Sequence, residues 1–169
     1  MDEPASANGI QWTNAPPAAP GRCYRILSPR PGTPVGGVIL GREILGVITH
    51  WMDSRTLPCM KVLGHCEGCS AGLPKRWKGY LAILAPGEGR FAILEITEEA
   101  RRSCEALRDQ ERNLRGERIM VFRRGTSKRS AVQAQILPFA LQPNLPESFD
   151  LKEALHRIWR LHWTQLDDA

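Results

Sequence analysis

The sequence predicts a mainly β domain, a small curled barrel of five strands with two helices and one loop insert, and three observations lead there. Short apolar runs rich in β-branched residues recur between Arg22 and Leu137, punctuated by glycine and proline, as strands joined by turns are. A helical pattern opens at Thr97 and stops at Gly116, between the third and fourth strands of that barrel. A polar, Gly-rich stretch between residues 50 and 77 interrupts the early strands.

Residues 1 to 20 carry four prolines, few large apolar side chains and no periodicity, which predicts a flexible arm with Trp12 as its one anchor. The domain proper is expected over residues 21 to 142. Its first runs are CYRIL at 23 to 27 and VGGVILGREILGVITHW at 35 to 51, the second read as one or two strands bent at their glycines. KGYLAIL (78 to 84) and RFAILEI (90 to 96) flank Pro86-Gly87-Glu88-Gly89 and predict a hairpin. Thr97 then offers an N-cap and Glu98 and Glu99 suit the positive end of a helix, while Ala100, Cys104, Leu107 and Leu114 recur at helical spacing. ERIMVF (117 to 122) and AVQAQIL (131 to 137) are the last two strands. Residues 143 to 169 form a C-terminal helix and tail, with Asp150 and Glu153 as a capping box and Leu151, Leu155, Ile158 and His162 on one face. A helix between the third and fourth strands of a five-stranded barrel is the order of an OB-fold.

Lys and Arg number 23 against 18 Asp and Glu, a net charge of +5, which favours a polyanionic partner, nucleic acid before anionic membrane. No run approaches the roughly 18 apolar residues of a membrane span, and the acidic, Pro/Ala-rich start lacks signal-peptide order, so a cytoplasmic protein without membrane association is expected. In such a reducing compartment an odd set of five cysteines points to metal binding before disulfides. Cys23 and Cys104, outside the cluster, read as packing residues.

Eight residues separate His50 from Cys59, six separate Cys59 from Cys66, and two separate Cys66 from Cys69. Two thiolates two residues apart can turn onto one tetrahedral ion, with Gly68 easing the turn, and four protein ligands leave no open position, so a structural Zn2+ site is expected. His65, beside Cys66, competes with His50 as the imidazole ligand, and the end of a strand run favours His50. The alternative of free buried thiols suits so polar a segment poorly. A zinc deaminase would need His-x-Glu and Pro-Cys-x-x-Cys, neither of which is present. A redox Cys-x-x-Cys wants a strand before it and a helix after, where this sequence reads as loop. With no nucleophile elbow and no phosphate-binding loop either, a non-catalytic protein is expected.

Around the insert, Trp51 and Arg55 on one side and Lys75, Arg76, Trp77, Lys78 and Tyr80 on the other interleave cations with rings, as single-stranded nucleic acid requires for its phosphates and unstacked bases. Arg123, Arg124, Lys128 and Arg129 form a second basic group between the last two strands, expected at the same barrel edge. The competing reading makes the aromatics core and the cations solubilising. Trp159 and Trp163, four apart, read as packing against the barrel or another subunit.

With His50, Cys59 and Cys66-x-x-Cys69 set among early strands of such a barrel, the chain resembles the zinc-containing single-stranded DNA-binding proteins of T-even phages in ligand order and placement. The likeness spans the motif and the framework from Arg22 to Leu137. The upstream ligand spacings are shorter here, and that family's aromatic-rich cleft has no obvious counterpart. The resemblance implies sequence-tolerant binding to single strands in replication, recombination or repair, of a phage or mobile element. RNA in place of DNA is one alternative. Another is a zinc-stabilised protein-interaction module, or accessory subunit of a nucleic-acid enzyme, whose partner covers the C-terminal helix.

Overall fold

Eight runs of β-branched and apolar residues form strands: β1 (Arg25–Leu27), β2 (Val35–Ile39), β3 (Leu45–Met52), β4 (Arg55–Pro58), β5 (Arg76–Leu84), β6 (Phe91–Thr97), β7 (Arg118–Arg123) and β8 (Val132–Leu137). Among the described residues three helices accompany them, α1 (Glu67–Ser70), α2 (Glu98–Arg108) and α3 (Leu151–Trp159), with a 3-10 turn over Lys61–Leu63. This computed structural model describes residues 24–86, 90–108, 113–137 and 144–159. The expected arm with Trp12, Cys23, the turn residues Gly87 to Gly89, the side chain of Leu107, and His162 and Trp163 lie outside the described residues.

The strands make one mixed sheet in the order β1-β6-β5-β2-β7-β8, with β3 on the first half of β5 and β4 beyond it. All ladders are antiparallel except β1 with β6, where Arg25, Ile26 and Leu27 run beside Ala92, Ile93 and Leu94. The long bent strand is two strands, as its glycines allowed, and the 90s hairpin stands where the sequence put it; α2 starts at the expected Thr97 cap, but the chain has left the helix by Asn113, short of the expected stop at Gly116. The mainly β class holds, while the closed five-stranded barrel does not form. Closure would need β8 on the free edge of β6, and β1 occupies that edge. Among the described residues β8 approaches β6 through a side chain instead, the Thr97 hydroxyl donating to the Val132 carbonyl over 3.4 Å.

Each face of the sheet carries its own core. On one, Ile39, Leu81, Ile83, Leu94, Ile96, Ile119 and Val121 pack beneath Ala100 and Cys104 of α2, which confirms Cys104 as a packing residue. Thr97 caps that helix, its hydroxyl accepting from the Ala100 N–H at 3.4 Å. Leu114 lies past the described helix yet is fully buried in the same core. On the other face Tyr80 and Ile93 are covered by Ala154, Leu155 and Trp159 of α3. Asp150 caps α3, its carboxylate accepting from the Glu153 N–H at 2.8 Å, and Trp159 meets Tyr80 edge to face at 5.6 Å. Arg115 fastens this covering segment, donating to the carbonyls of Leu40, Leu145 and Pro146. Full burial of each large aliphatic side chain contributes about 1.5–3 kcal/mol, so α3 is held mainly by its apolar face.

Candidate metal centre

β3 continues past its ladder with β5 into a hairpin with β4. The connection is two residues long, and Asp53 and Ser54 both have positive φ, 51° and 61°, as a type I′ turn demands. Beyond β4 the hairpin ladder runs one rung further, the Cys59 N–H donating to the Ile48 carbonyl at 2.7 Å. The 3-10 turn and α1 follow, and the Leu73 N–H closes the insert on the Gly68 carbonyl at 2.8 Å. Neither β4 at Arg55–Pro58 nor α1 at Glu67–Ser70 is signalled in the sequence, because both are too short for a period to show.

This path brings His50, Cys59, Cys66 and Cys69 together, with all four ligand atoms within 4.8 Å of one another. Cys69 Sγ lies 3.5 Å from Cys59 Sγ and 3.5 Å from His50 Nε2. A tetrahedron with bonds of about 2.3 Å has edges of about 3.8 Å, so one ion fits among these atoms with little adjustment. The residues therefore could hold a metal ion. His50 is the imidazole of the cluster and His65 is exposed outside it.

His50 is 2% exposed and its Nδ1 lies 3.3 Å from the Pro74 carbonyl. A carbonyl only accepts, so Nδ1 carries the proton and the Nε2 lone pair is turned to the thiols, the orientation a metal-bound imidazole takes. Gly68 has a different part from easing the turn: it sits inside α1, buried against His50, and a Cβ there would lie 2.6 Å from the ring.

Backbone amides prepare two of the thiols for ionisation. N–H donation from Cys69, then from Met60, brings Cys66 down to about 6 against burial. The Lys61 N–H lowers Cys59. Burial first, then the neighbouring thiols, raise Cys69, a cost that a cation at the centre would remove. Hydrogen bonding to Cys59 heads the causes that raise His50.

The expected nucleic-acid contacts divide. Trp51 is 60% exposed, and Arg55, Lys75, Arg76, Arg124, Lys128 and Arg129 are exposed as well. Tyr80 is fully buried under α3 and cannot be a surface stacking platform. Lys78 is paired with Glu95 at 2.7 Å. Trp77 is half-buried because Gly46 and Gly79 make room for its ring, with a Cβ at either falling 2.7 or 2.5 Å from the indole, and Arg101 covers it at 5.5 Å. Arg123 donates to the carbonyls of Pro29 at 3.0 Å and Ser130 at 2.8 Å and so holds its own loop. The two basic groups also do not share an edge: β7 pairs with β2 so that its end lies by Val35, whereas Arg76 pairs with Thr49 near the end of β3.

Among the described residues no helix is long and apolar enough to cross a membrane. No family model, no curated protein and no solved structure matches the chain.

Proposed function

We propose that the protein is a non-catalytic single-stranded DNA-binding protein, an OB-like sheet whose structural zinc centre stiffens the hairpin that meets the strand. Three thiolates and an imidazole are a donor set that suits zinc, and with four protein ligands no position is left for a reacting water. The OB reading draws support from the order β8-β7-β2-β5-β6 with α2 between β6 and β7.

The observation that carries the binding reading is Trp51, an indole 60% exposed on a hairpin that carries His50 and runs directly into Cys59. Arg76 pairs with Thr49, two residues along the same face, so the register sets a cation diagonally beside the ring. Lys75 and Arg55 add exposed charge. An unstacked base on such a ring contributes about 1–3 kcal/mol, with phosphates drawn to the cations. The test is fluorescence anisotropy of a labelled oligothymidine at two salt concentrations, against zinc-loaded protein. Binding that weakens steeply with salt and is not competed by duplex supports the reading; no binding at either salt ends it.

A second reading, a zinc-stabilised interaction module, is favoured by Val62, 83% exposed on the insert, and by Ile48, 44% exposed on β3. Association of the module with a protein partner would be insensitive to salt, which separates the two.

A further inference from the structure

A cavity of about 300 Å³ opens between the end of β1, β4 and α3, apart from the metal ligands. Ile26, Leu57 and Trp159 supply apolar walls, and Tyr80, Glu95 and Ser28 supply polar ones. Arg55, exposed, stands among the lining residues.

Two features of the polar side call for a ligand. The Tyr80 hydroxyl is buried and interacts with Glu95 across the ladder without closing a hydrogen bond of good geometry, a cost that native interiors seldom leave unrelieved. Its acidity is suppressed, by burial first and then by Glu95, so it remains a donor. Beside it, across the β5–β6 ladder, Glu95 is held by Lys78 at 2.7 Å and by the Ser28 hydroxyl at 3.3 Å, both on Oε1. A carboxylate has about four lone-pair sites, so this one can accept further bonds. The cavity thus offers a neutral donor next to a fixed acceptor, flat apolar walls, and a cation.

We propose that this cavity receives a single nucleobase, its ring against Trp159 and Leu57, its edge on Tyr80 and Glu95, and its phosphate on Arg55. Every natural base presents a donor next to an acceptor on its Watson–Crick edge, so the site is tolerant of sequence. The inference rests on the single-strand reading, which supplies the unstacked base. A free nucleotide carries the same chemistry, and the test separates the two sources.

The experiment titrates full-length protein with an oligonucleotide carrying one 2-aminopurine, with the same oligonucleotide abasic at that position, and with deoxycytidine monophosphate. Tyr80→Phe and Glu95→Gln are measured beside the parent protein, with melting curves for all three. Tyr80→Phe keeps the ring and removes a buried hydroxyl that closes no bond of good geometry, so its melting temperature is expected to hold or rise. The expected result is quenching of 2-aminopurine on binding, and a loss of about threefold to tenfold in affinity for the abasic strand and for each variant. Saturable binding of the monophosphate without strand binding would assign the site to a free nucleotide and end the strand reading. Strand binding of equal strength by parent, both variants and the abasic strand would overturn the pocket and leave the strand reading standing. No binding of strand or monophosphate overturns both.

Discussion

Of the four clustered residues that could hold a metal ion, Cys66 has the surroundings that speak most directly to metal retention. Two backbone N–H groups hold its pKa at about 6. A thiol whose folded pKa is depressed contributes stability that is full above its unfolded value and is lost as pH falls through the folded one. A bound cation opposes that protonation, so metal should be released as pH falls, with Cys66 protonated only below about 6. A zinc-chelating dye during a pH titration reads this, and Cys66→Ser should arrive from purification with little metal and a lowered melting temperature. Full metal content in that variant would refute the ligand set. The clustering of His50, Cys59, Cys66 and Cys69 was legible from spacing and local polarity alone. The parts of Gly68 and Tyr80 were not, because each depends on a partner distant in sequence: Gly68 yields to the His50 ring, and Tyr80 is covered by a helix about 75 residues on.

At the scale of elements, the caps were readable because their signals are local. Thr97 and Asp150 both serve as the sequence proposed and the CYRIL run contains β1, whereas β4, at four residues, has no period to detect. The burial of KGYLAIL on both faces also escaped a strand-by-strand reading, since only the position of α3 shows that the Tyr80 face is covered. That helix rests on one N-cap and an apolar face. Asp150→Ala should cost about 1 kcal/mol of stability, and Trp159→Ala about 3–5 kcal/mol, leaving a hole against Tyr80. Urea denaturation of both variants checks this. A loss for Asp150→Ala as large as that for Trp159→Ala would mean that the cap, and not packing, secures α3.

For the molecule as a whole, the proposed binding surface belongs to a hairpin that the sheet holds at one end and the metal centre at the other, so charge and rigidity make separable contributions. Arg55, Lys75 and Arg76 are exposed and none is a ligand of the centre, so their joint replacement by Ala should leave metal content and melting unchanged. Each phosphate contact on a single strand adds about 0.7 to the slope of log affinity against log salt, so losing three should flatten that slope by about 2. Removing the metal acts otherwise: it loosens the insert, lowers the melting temperature and weakens binding, while leaving the charges, and hence most of the slope, in place. Measuring affinity for oligothymidine across salt in the parent protein, the triple variant and the metal-stripped protein distinguishes the two effects. If the triple variant kept the parent slope, the strand would have to run elsewhere, and Arg124, Lys128 and Arg129 at the other end of the β2–β3 run would be the cations to replace next.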